Sequence, residues 1–519
     1  MIVSSPHPAV AIPETSLTEF VLQRAHELGD KAAIIDGVTG RTVTYEQLPK
    51  LIGRLAAGLA SYGLAKGDVL AIFSPNLPEY ALAFHAVATL GGATTMVPSL
   101  FTDEEIKTQL RDSGAKFLLT IPQFMDKARQ AAAAANISQI LVVGETQGAV
   151  SFSSLLANVA STPEVKIEPR IDIAALPYSS GTTGFPKGVM LTHYNLVSML
   201  CQMTANDAFN ESDTLICVVP MYHLYGLHVV VNLGLSQGAT IVTLPRYELN
   251  QFLKTLEGFE VTVAPLVPPL VLTLSRALEV DNFDLSTLRS IHCGAASLPW
   301  KVAQTCSRRL KCEIKYGYGL TEVSPLSHAS VPSKPDKPGS VGYCLPNTEC
   351  KIVDNSTGAD LAANEKGEIW VRGPQVMKGY LGNEEATAEM IDSEGWLRTG
   401  DIGYVDEDGC LFVVDRLKEL IKYKGKQVAP AELEAVLLTH PAIADAGVIP
   451  SSDEEAGEVP KAFVVLKGDV TAEEVMEFVA ERVAPHKRIR EVEFVTEIPK
   501  SPAGKILRRV LVERERAKP

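Results

Sequence analysis

The sequence contains no run of 18 uncharged apolar residues, so no segment is expected to cross a bilayer as a helix. Its start does not pair a basic stretch with a short apolar one, so no secretory leader is expected. The last residues, Ala517-Lys518-Pro519, are not a common peroxisomal address. The eight cysteines, at 201, 217, 293, 306, 312, 344, 350 and 410, form no Cys-x-x-Cys pair and no His/Cys cluster. Neither a disulfide framework nor a structural zinc site is expected from them. Positive charge is in deficit, with 48 Lys and Arg against 62 Asp and Glu and a net charge of -14. That balance disfavours non-specific binding to nucleic acid or anionic lipid. A reduced, cytoplasmic location is the simplest expectation.

What is present is length and alternation. The 519 residues exceed the roughly 250–300 at which one core divides, so several domains are expected. The 46% apolar content is enough for large cores. After a lead-in segment at 1–45, with Ser16 and Glu19 spaced for a capping box, strand-like and helix-like stretches alternate. Helices are predicted at 44–62, with Thr44 as cap, and at 76–88, 104–113 and 193–202. Strands are predicted at 68–73, 93–97, 117–119, 214–219, 239–243, 261–264 and 290–293. This is α/β layering. From 341 the texture becomes short strands between Gly, Asn and Asp turns, a β-rich subdomain. The last hundred residues read as a separate small α+β unit. The expected division is 1–415 and 416–519, with a hinge at 415–418.

Several loops carry chemistry. Residues 178–188 read Tyr-Ser-Ser-Gly-Thr-Thr-Gly-Phe-Pro-Lys-Gly. Small residues let backbone N–H groups approach an anion, hydroxyls add donors, and Lys187 adds charge. Aligned as a Walker loop, Pro186 and Gly188 occupy the places of Gly and Ser/Thr, so the polyphosphate loop is of another kind. At 315–325 glycines alternate with aromatics before Thr321 and Glu322, and Glu322 can hold a hard cation alongside phosphate. Residues 221–226, Met-Tyr-His-Leu-Tyr-Gly, form an aromatic loop beyond an apolar strand, where ligands of open α/β sheets sit. A charged loop follows at 422–426, and Lys505 sits in a turn before the final helix.

These motifs, in this order, resemble those of the adenylate-forming superfamily of acyl- and aryl-CoA synthetases, peptide-synthetase adenylation domains and beetle luciferases. The likeness spans about residues 40–510. It is carried by 178–188, Tyr316-Gly317-Tyr318-Gly319-Leu320-Thr321-Glu322, 367–373, Gly395-Trp396-Leu397-Arg398-Thr399-Gly400-Asp401, 415–422 and Pro502-Ala503-Gly504-Lys505. The resemblance implies a large adenylate-forming domain and a small mobile C-terminal domain. It also implies a reaction: MgATP converts a carboxylic acid to an acyl-adenylate, and coenzyme A then takes the acyl group. ATP, Mg²⁺ and CoA are the implied cofactors. The other expected partner is the small-molecule acid, and the expected state is monomer or homodimer.

The resemblance also assigns roles. Ser179, Ser180, Gly181, Thr182, Thr183, Gly184 and Lys187 would grip phosphates. Tyr318 and Gly319 would hold adenine, Thr321 the α-phosphate and Glu322 the metal. Asp401 and Arg416 would hold the ribose. Lys505 would act in adenylation, with the domain turning about Lys418. Lys422, Lys424, Gly425 and Gln427 would serve the CoA step. His223 would line the acid site with Tyr222, Tyr225, Gly294, Ala295, Gly317, Gly319, Val323 and Pro325. Residues 224–236 contain no acid, which disfavours an amino-acid substrate. The 422–430 loop is closest to that of 4-coumarate–CoA ligase-like enzymes, so an aromatic acid is expected. A medium- or long-chain fatty acid, or a carrier-protein thiol as acceptor, stays open as an alternative.

Overall fold

In the computed structural model the described residues are all but 159, 180–185, 335, 425, 454–455, 502–503 and 517–519; the side chains of Lys426 and Gln427 are likewise outside the description. The expectations for Ser180, Gly181, Thr182, Thr183, Gly184, Gly425 and the Gln427 side chain, and for Pro502 and Ala503 of the lysine turn, therefore lie outside the described residues.

Four sheets organise the chain. The first has a parallel centre of Ala93–Met96, Val69–Ile72, Ala115–Thr120 and Gln139–Val142. Ile173–Ala175, Lys187–Thr192 and Tyr178–Ser179 extend it at one side. The second runs Glu313–Tyr318, Ser290–Cys293, Val263–Leu266, Thr214–Cys217, Thr240–Thr243 and Ala32–Asp36, all parallel. Both parallel centres read as near-continuous apolar runs because helices cover both faces. Helix Pro78–Thr89 is buried on nearly every side, as its sequence PEYALAFHAVAT requires. Its His85 joins a buried chain: His85 Nε2 donates to Asn232 Oδ1 (3.2 Å), Asn232 Nδ2 to His228 Nδ1 (3.1 Å), and His228 Nε2 to the Leu196 carbonyl (3.0 Å).

The third sheet is antiparallel: Ile2–Ser4, Glu349–Val353, Gly367–Arg372, Leu397–Val405 and Leu411–Arg416. The fourth, with its own core, comprises Lys426–Val428, Ile421–Tyr423, Gly457–Leu466, Ile443–Asp453 and Glu491–Phe494. The fold is thus α/β, a large N-terminal part with a β-rich sheet and a small C-terminal α+β part. Between them Ile402, Leu420 and Ala429 cluster with Val414 and Leu417, and Lys418 lies in the turn inside this cluster.

The lead-in segment supplies an edge strand of the third sheet and the hairpin Ala32–Asp36/Thr42–Thr44. Three expectations need correction. The helix expected at 44 starts at Gln47; Thr44 ends a strand and exchanges hydrogen bonds with Gln47 from there. The aromatic loop becomes helical at Tyr225, as a π-helix Tyr225–Asn232. Gly226 permits it, because a Cβ there would lie 2.4 Å from the Pro220 carbonyl oxygen. The charged 422–426 stretch is a hairpin pairing Ile421–Tyr423 with Lys426–Val428. By contrast, Ser16 and Glu19 do form the expected capping box.

Candidate active site

A cavity of about 180 Å³ lies beyond the C-terminal ends of Ser290–Cys293 and Glu313–Tyr318 and against the start of the π-helix. Parallel strands end together, so their following loops converge there. His223, Tyr225, Gly294, Ala295, Gly317, Gly319, Thr321 and Pro325 all line it. The cavity's lining is mostly apolar. Tyr225 is fixed across it: its hydroxyl donates to the His292 carbonyl at 2.6 Å. Gly294 borders the Tyr225 ring, with its Cβ position 3.7 Å from Cζ. Gly319 allows the chain to double back, since a Cβ there would lie 1.9 Å from the Pro325 carbonyl oxygen. Burial holds the His223 imidazole down at about 4, so it is neutral at pH 7.

Two expected lining residues are elsewhere. Val323 is fully buried in the large core, because the short turn Thr321–Val323 aims it inward. Tyr222 is buried and packs on the His223 ring at 4.9 Å, behind the wall instead of on it. Sequence reading missed Asn206, His292 and Lys315, which also line the cavity. Their one available signal was polarity inside otherwise apolar strand and helix surroundings.

Beside the lining residues Gly317, Gly319 and Thr321, charged groups hold each other. Tyr318 donates its hydroxyl to Asp401 Oδ2 at 2.7 Å, and Arg416 Nε lies 3.2 Å from Asp401 Oδ1. Strand register explains the second contact, since Asp401 and Arg416 are direct partners on neighbouring strands. Burial pushes the Asp401 carboxyl above the usual carboxylate range, while the Arg416 guanidinium and the Tyr318 hydroxyl oppose that push. Glu322 is buried and accepts from the Tyr380 hydroxyl at 2.9 Å. Lys187 lies over the same Tyr380 ring at 5.0 Å, because Lys187–Thr192 pairs with Gly379–Tyr380. Ser179 stands opposite Lys187 in register.

The C-terminal part brings in Lys505. Burial, then the nearby Arg416, lower its pKa, while Glu419 and Asp401 act the other way. Lys505 Nζ is 4.0 Å from Glu419 Oε1, and Arg508 bridges Glu419 and Glu434. Gly504, at φ +77, seats the turn closely on Pro269: a Cβ there would approach Pro269 Cδ to 2.6 Å. Lys422 and Lys424 belong to the hairpin and do not line the cavity; the Lys422 N–H donates to Glu458 Oε2 at 2.7 Å. Among the described residues no group of three His, Cys, Asp or Glu could hold a metal by itself. A single buried carboxylate, Glu322, therefore fits a cation only if phosphate oxygens complete its shell.

Residues 21–381 match the profile of the family described as AMP-binding enzyme, and 432–505 match its C-terminal domain. The chain belongs to the AMP-binding enzyme family. Among its relatives is 4-coumarate–CoA ligase 1 of Petroselinum crispum, 44% identical and aligned over 98% of this chain and 96% of the relative. 4-Coumarate–CoA ligase 5 of Oryza sativa subsp. japonica is 43% identical over 97% and 95%. Among solved structures, the anthranilate CoA ligase AuaEII in complex with anthranoyl-AMP superposes with a TM-score of 0.90 at 26% identity, covering 97% of this chain and 98% of its own. The o-succinylbenzoate CoA synthetase of Bacillus subtilis with its acyl-adenylate gives 0.84 at 32% identity over 96% and 98%. Among the described residues no helix is long and apolar enough to cross a membrane.

Proposed function

We propose that this protein is an AMP-forming ligase that joins an aromatic, 4-coumarate-like carboxylic acid to coenzyme A. The observation that carries the reading is a mostly apolar cavity lined by Gly317, Gly319 and Thr321, next to Tyr318 and its partner Asp401, a group that also acts on Lys505 from the other part of the chain. Kinship with 4-coumarate–CoA ligases over nearly the whole chain supports it.

A carboxylate is a poor electrophile because its charge is shared between two oxygens. In the first step its oxygen attacks the α-phosphorus of MgATP; the bond to the bridging oxygen breaks and pyrophosphate leaves. In the second, the thiol sulfur attacks the acyl carbon, the mixed-anhydride C–O bond breaks, AMP leaves, and the thiol proton is released. The first step needs positioning and charge stabilisation. Asp401 accepts the ribose hydroxyls, kept in place by Tyr318 and Arg416. Thr321 meets the α-phosphate. Ser179, Ser180, Gly181, Thr182, Thr183, Gly184 and Lys187 would hold the outer phosphates, and Glu322 would hold the cation that accompanies them. Lys505 supplies a mobile positive charge between carboxylate and α-phosphate. His223, Tyr225, Gly294, Ala295, Gly317, Gly319 and Pro325 bound the acid.

The C-terminal part, 416–519, is the moving unit, with its hinge at Lys418. Lys422, Lys424, Gly425 and Gln427 serve the thioester step after it turns. Eight free cysteines, none in a disulfide, fit a reduced cytoplasmic compartment. The test is CoA-dependent AMP release across benzoate, cinnamate, 4-coumarate, caffeate, ferulate and C6–C16 fatty acids. Hydroxycinnamates are expected to lead. Leading turnover of a fatty acid, or acyl transfer only to a holo-carrier protein, would overturn the reading.

A further inference from the structure

The cavity wall is mostly apolar. Among the polar side chains that line it are three from separate stretches: Asn206, His292 and Lys315. Two of them carry buried atoms without a partner, Asn206 Oδ1 and His292 Nε2. Such atoms cost free energy unless something pairs with them, and native proteins leave few of them.

The backbone explains why they gather. His292 and Lys315 are register partners on adjacent parallel strands, so they share a face of the sheet. The ring of Phe209 stacks on His292 at 5.2 Å, which brings the end of the helix His193–Ala205 and its following turn against that face. Asn206 caps that helix, and its Nδ2 is already used, donating to the Ser330 carbonyl at 2.9 Å. Only its oxygen is left to face the cavity. Tyr316, the register partner of Cys293, also lines the cavity with an unpartnered hydroxyl, and its ring stacks on Trp300 at 6.3 Å. Burial keeps the His292 ring neutral, with a pKa of about 3, so Nε2 can carry a hydrogen and donate.

We propose that Asn206 and His292 are specificity-determining residues that read a hydroxyl on the acid, at the end of the aromatic ring remote from the carboxylate. This rests on the reading of the cavity as the acid site. A hydroxyl is the small group that donates to Asn206 Oδ1 while accepting from His292 Nε2–H or Lys315. A bare ring leaves both buried atoms unpaired. A methoxy group accepts but cannot donate, so it leaves Asn206 Oδ1 orphaned. A carboxylate can pair with Lys315 but cannot donate to Asn206 Oδ1, and it sets its negative charge against that amide oxygen. Sites built to hydrogen-bond a hydroxyl reject analogues lacking it more strongly than apolar pockets sort by size.

The experiment measures kcat/KM of the full-length protein, by CoA-dependent AMP release, for cinnamate, 4-coumarate, 4-methoxycinnamate and 4-carboxycinnamate. We expect 4-coumarate to lead each of the other three by roughly 30-fold, the value of about two neutral hydrogen bonds. In His292→Leu and in Asn206→Leu the ratio of 4-coumarate to cinnamate should fall to about 5 or less, with the loss carried by the KM for 4-coumarate. The wild-type ratios do not depend on the variants folding. Turnover of all four acids at similar kcat/KM, a lead for the carboxylate or methoxy acid, or active variants that keep the wild-type ratio would each overturn this inference alone. Absence of turnover with these and with every acid of the wider panel would overturn it together with the ligase reading.

Discussion

The two halves of the proposed site are built on opposite plans. In the half proposed for the nucleotide the polar groups satisfy one another: Tyr318 and Arg416 hold Asp401, and Tyr380 holds Glu322. At the far end the polar atoms are left open, on Asn206 and His292, within apolar walls. A closed network fixes geometry before a ligand arrives. An open one sets a cost that only the right ligand removes. The first plan suits a nucleotide whose shape never varies. The second suits the substrate by which members of one family differ.

The largest effect is expected at the nucleotide end. Lys505→Ala should slow adenylation, read as pyrophosphate–ATP exchange, by roughly 10³-fold, the scale of losing a transition-state charge donor. Thioester formation from a supplied acyl-adenylate should change by less than about fivefold. Equal losses in both half-reactions would erase the distinct role given to this residue. Next, Asp401→Asn keeps the shape but removes the charged acceptor. The KM for ATP should rise about 10- to 100-fold, as for hydrogen bonds to a charged group, while the KM for the acid moves less than about threefold. Parallel rises in both constants would show that the two ends do not act separately.

The smallest effect concerns stability. Burial lowers the pKa of His85, His193 and His223 to about 4, and of His228 and His292 to about 3. Unfolded, each titrates near 6.5. Between pH 6.5 and about 4 the unfolded chain therefore binds protons that the folded chain does not. Stability contributed by these groups is present above pH 6.5 and is lost as pH falls through that window. Thermal unfolding should occur several degrees lower at pH 5 than at pH 7.5. An equal or higher midpoint at pH 5 would contradict the neutral, buried assignment of these rings, including the two at the cavity.

What could be read in the sequence follows the same division. The nucleotide end is written in short local patterns, because gripping phosphates needs small and hydroxyl residues close together in one loop. The proposed roles of Lys187, Glu322, Asp401 and Lys505 rest on such patterns and on the family resemblance they carry. The acid end is assembled from stretches around 206, 223–229, 292–295 and 315–330, and no spacing links them. His292 alternates within an ordinary buried strand, and Asn206 resembles any helix cap. The layered α/β class was legible from alternation. The edge strand Ile2–Ser4 was not, since three residues show no period. Nor was the π-helix at Tyr225, whose wide turn follows from close backbone approach at Gly226 and not from any apolar repeat.

One arrangement near Lys505 bears on how the small domain could travel. Its nearest acid, Glu419, and the Arg508 that bridges Glu419 to Glu434 all lie on the same side of Lys418 as Lys505 itself. A turn about Lys418 would carry these charges as a passenger group, with no ion pair among them broken. Resistance would come from the places where the two parts touch. Those include the packing of Leu420 and Ala429 with Ile402, the Ala431 N–H bond to Asp415 at 2.9 Å and the close seat of Gly504 on Pro269. Charges also act across Lys418, those of Asp401 and Arg416 on Lys505 and that of Asp415 on Arg508, so in the proposed swing added salt should matter as well as the fit of one glycine against one proline.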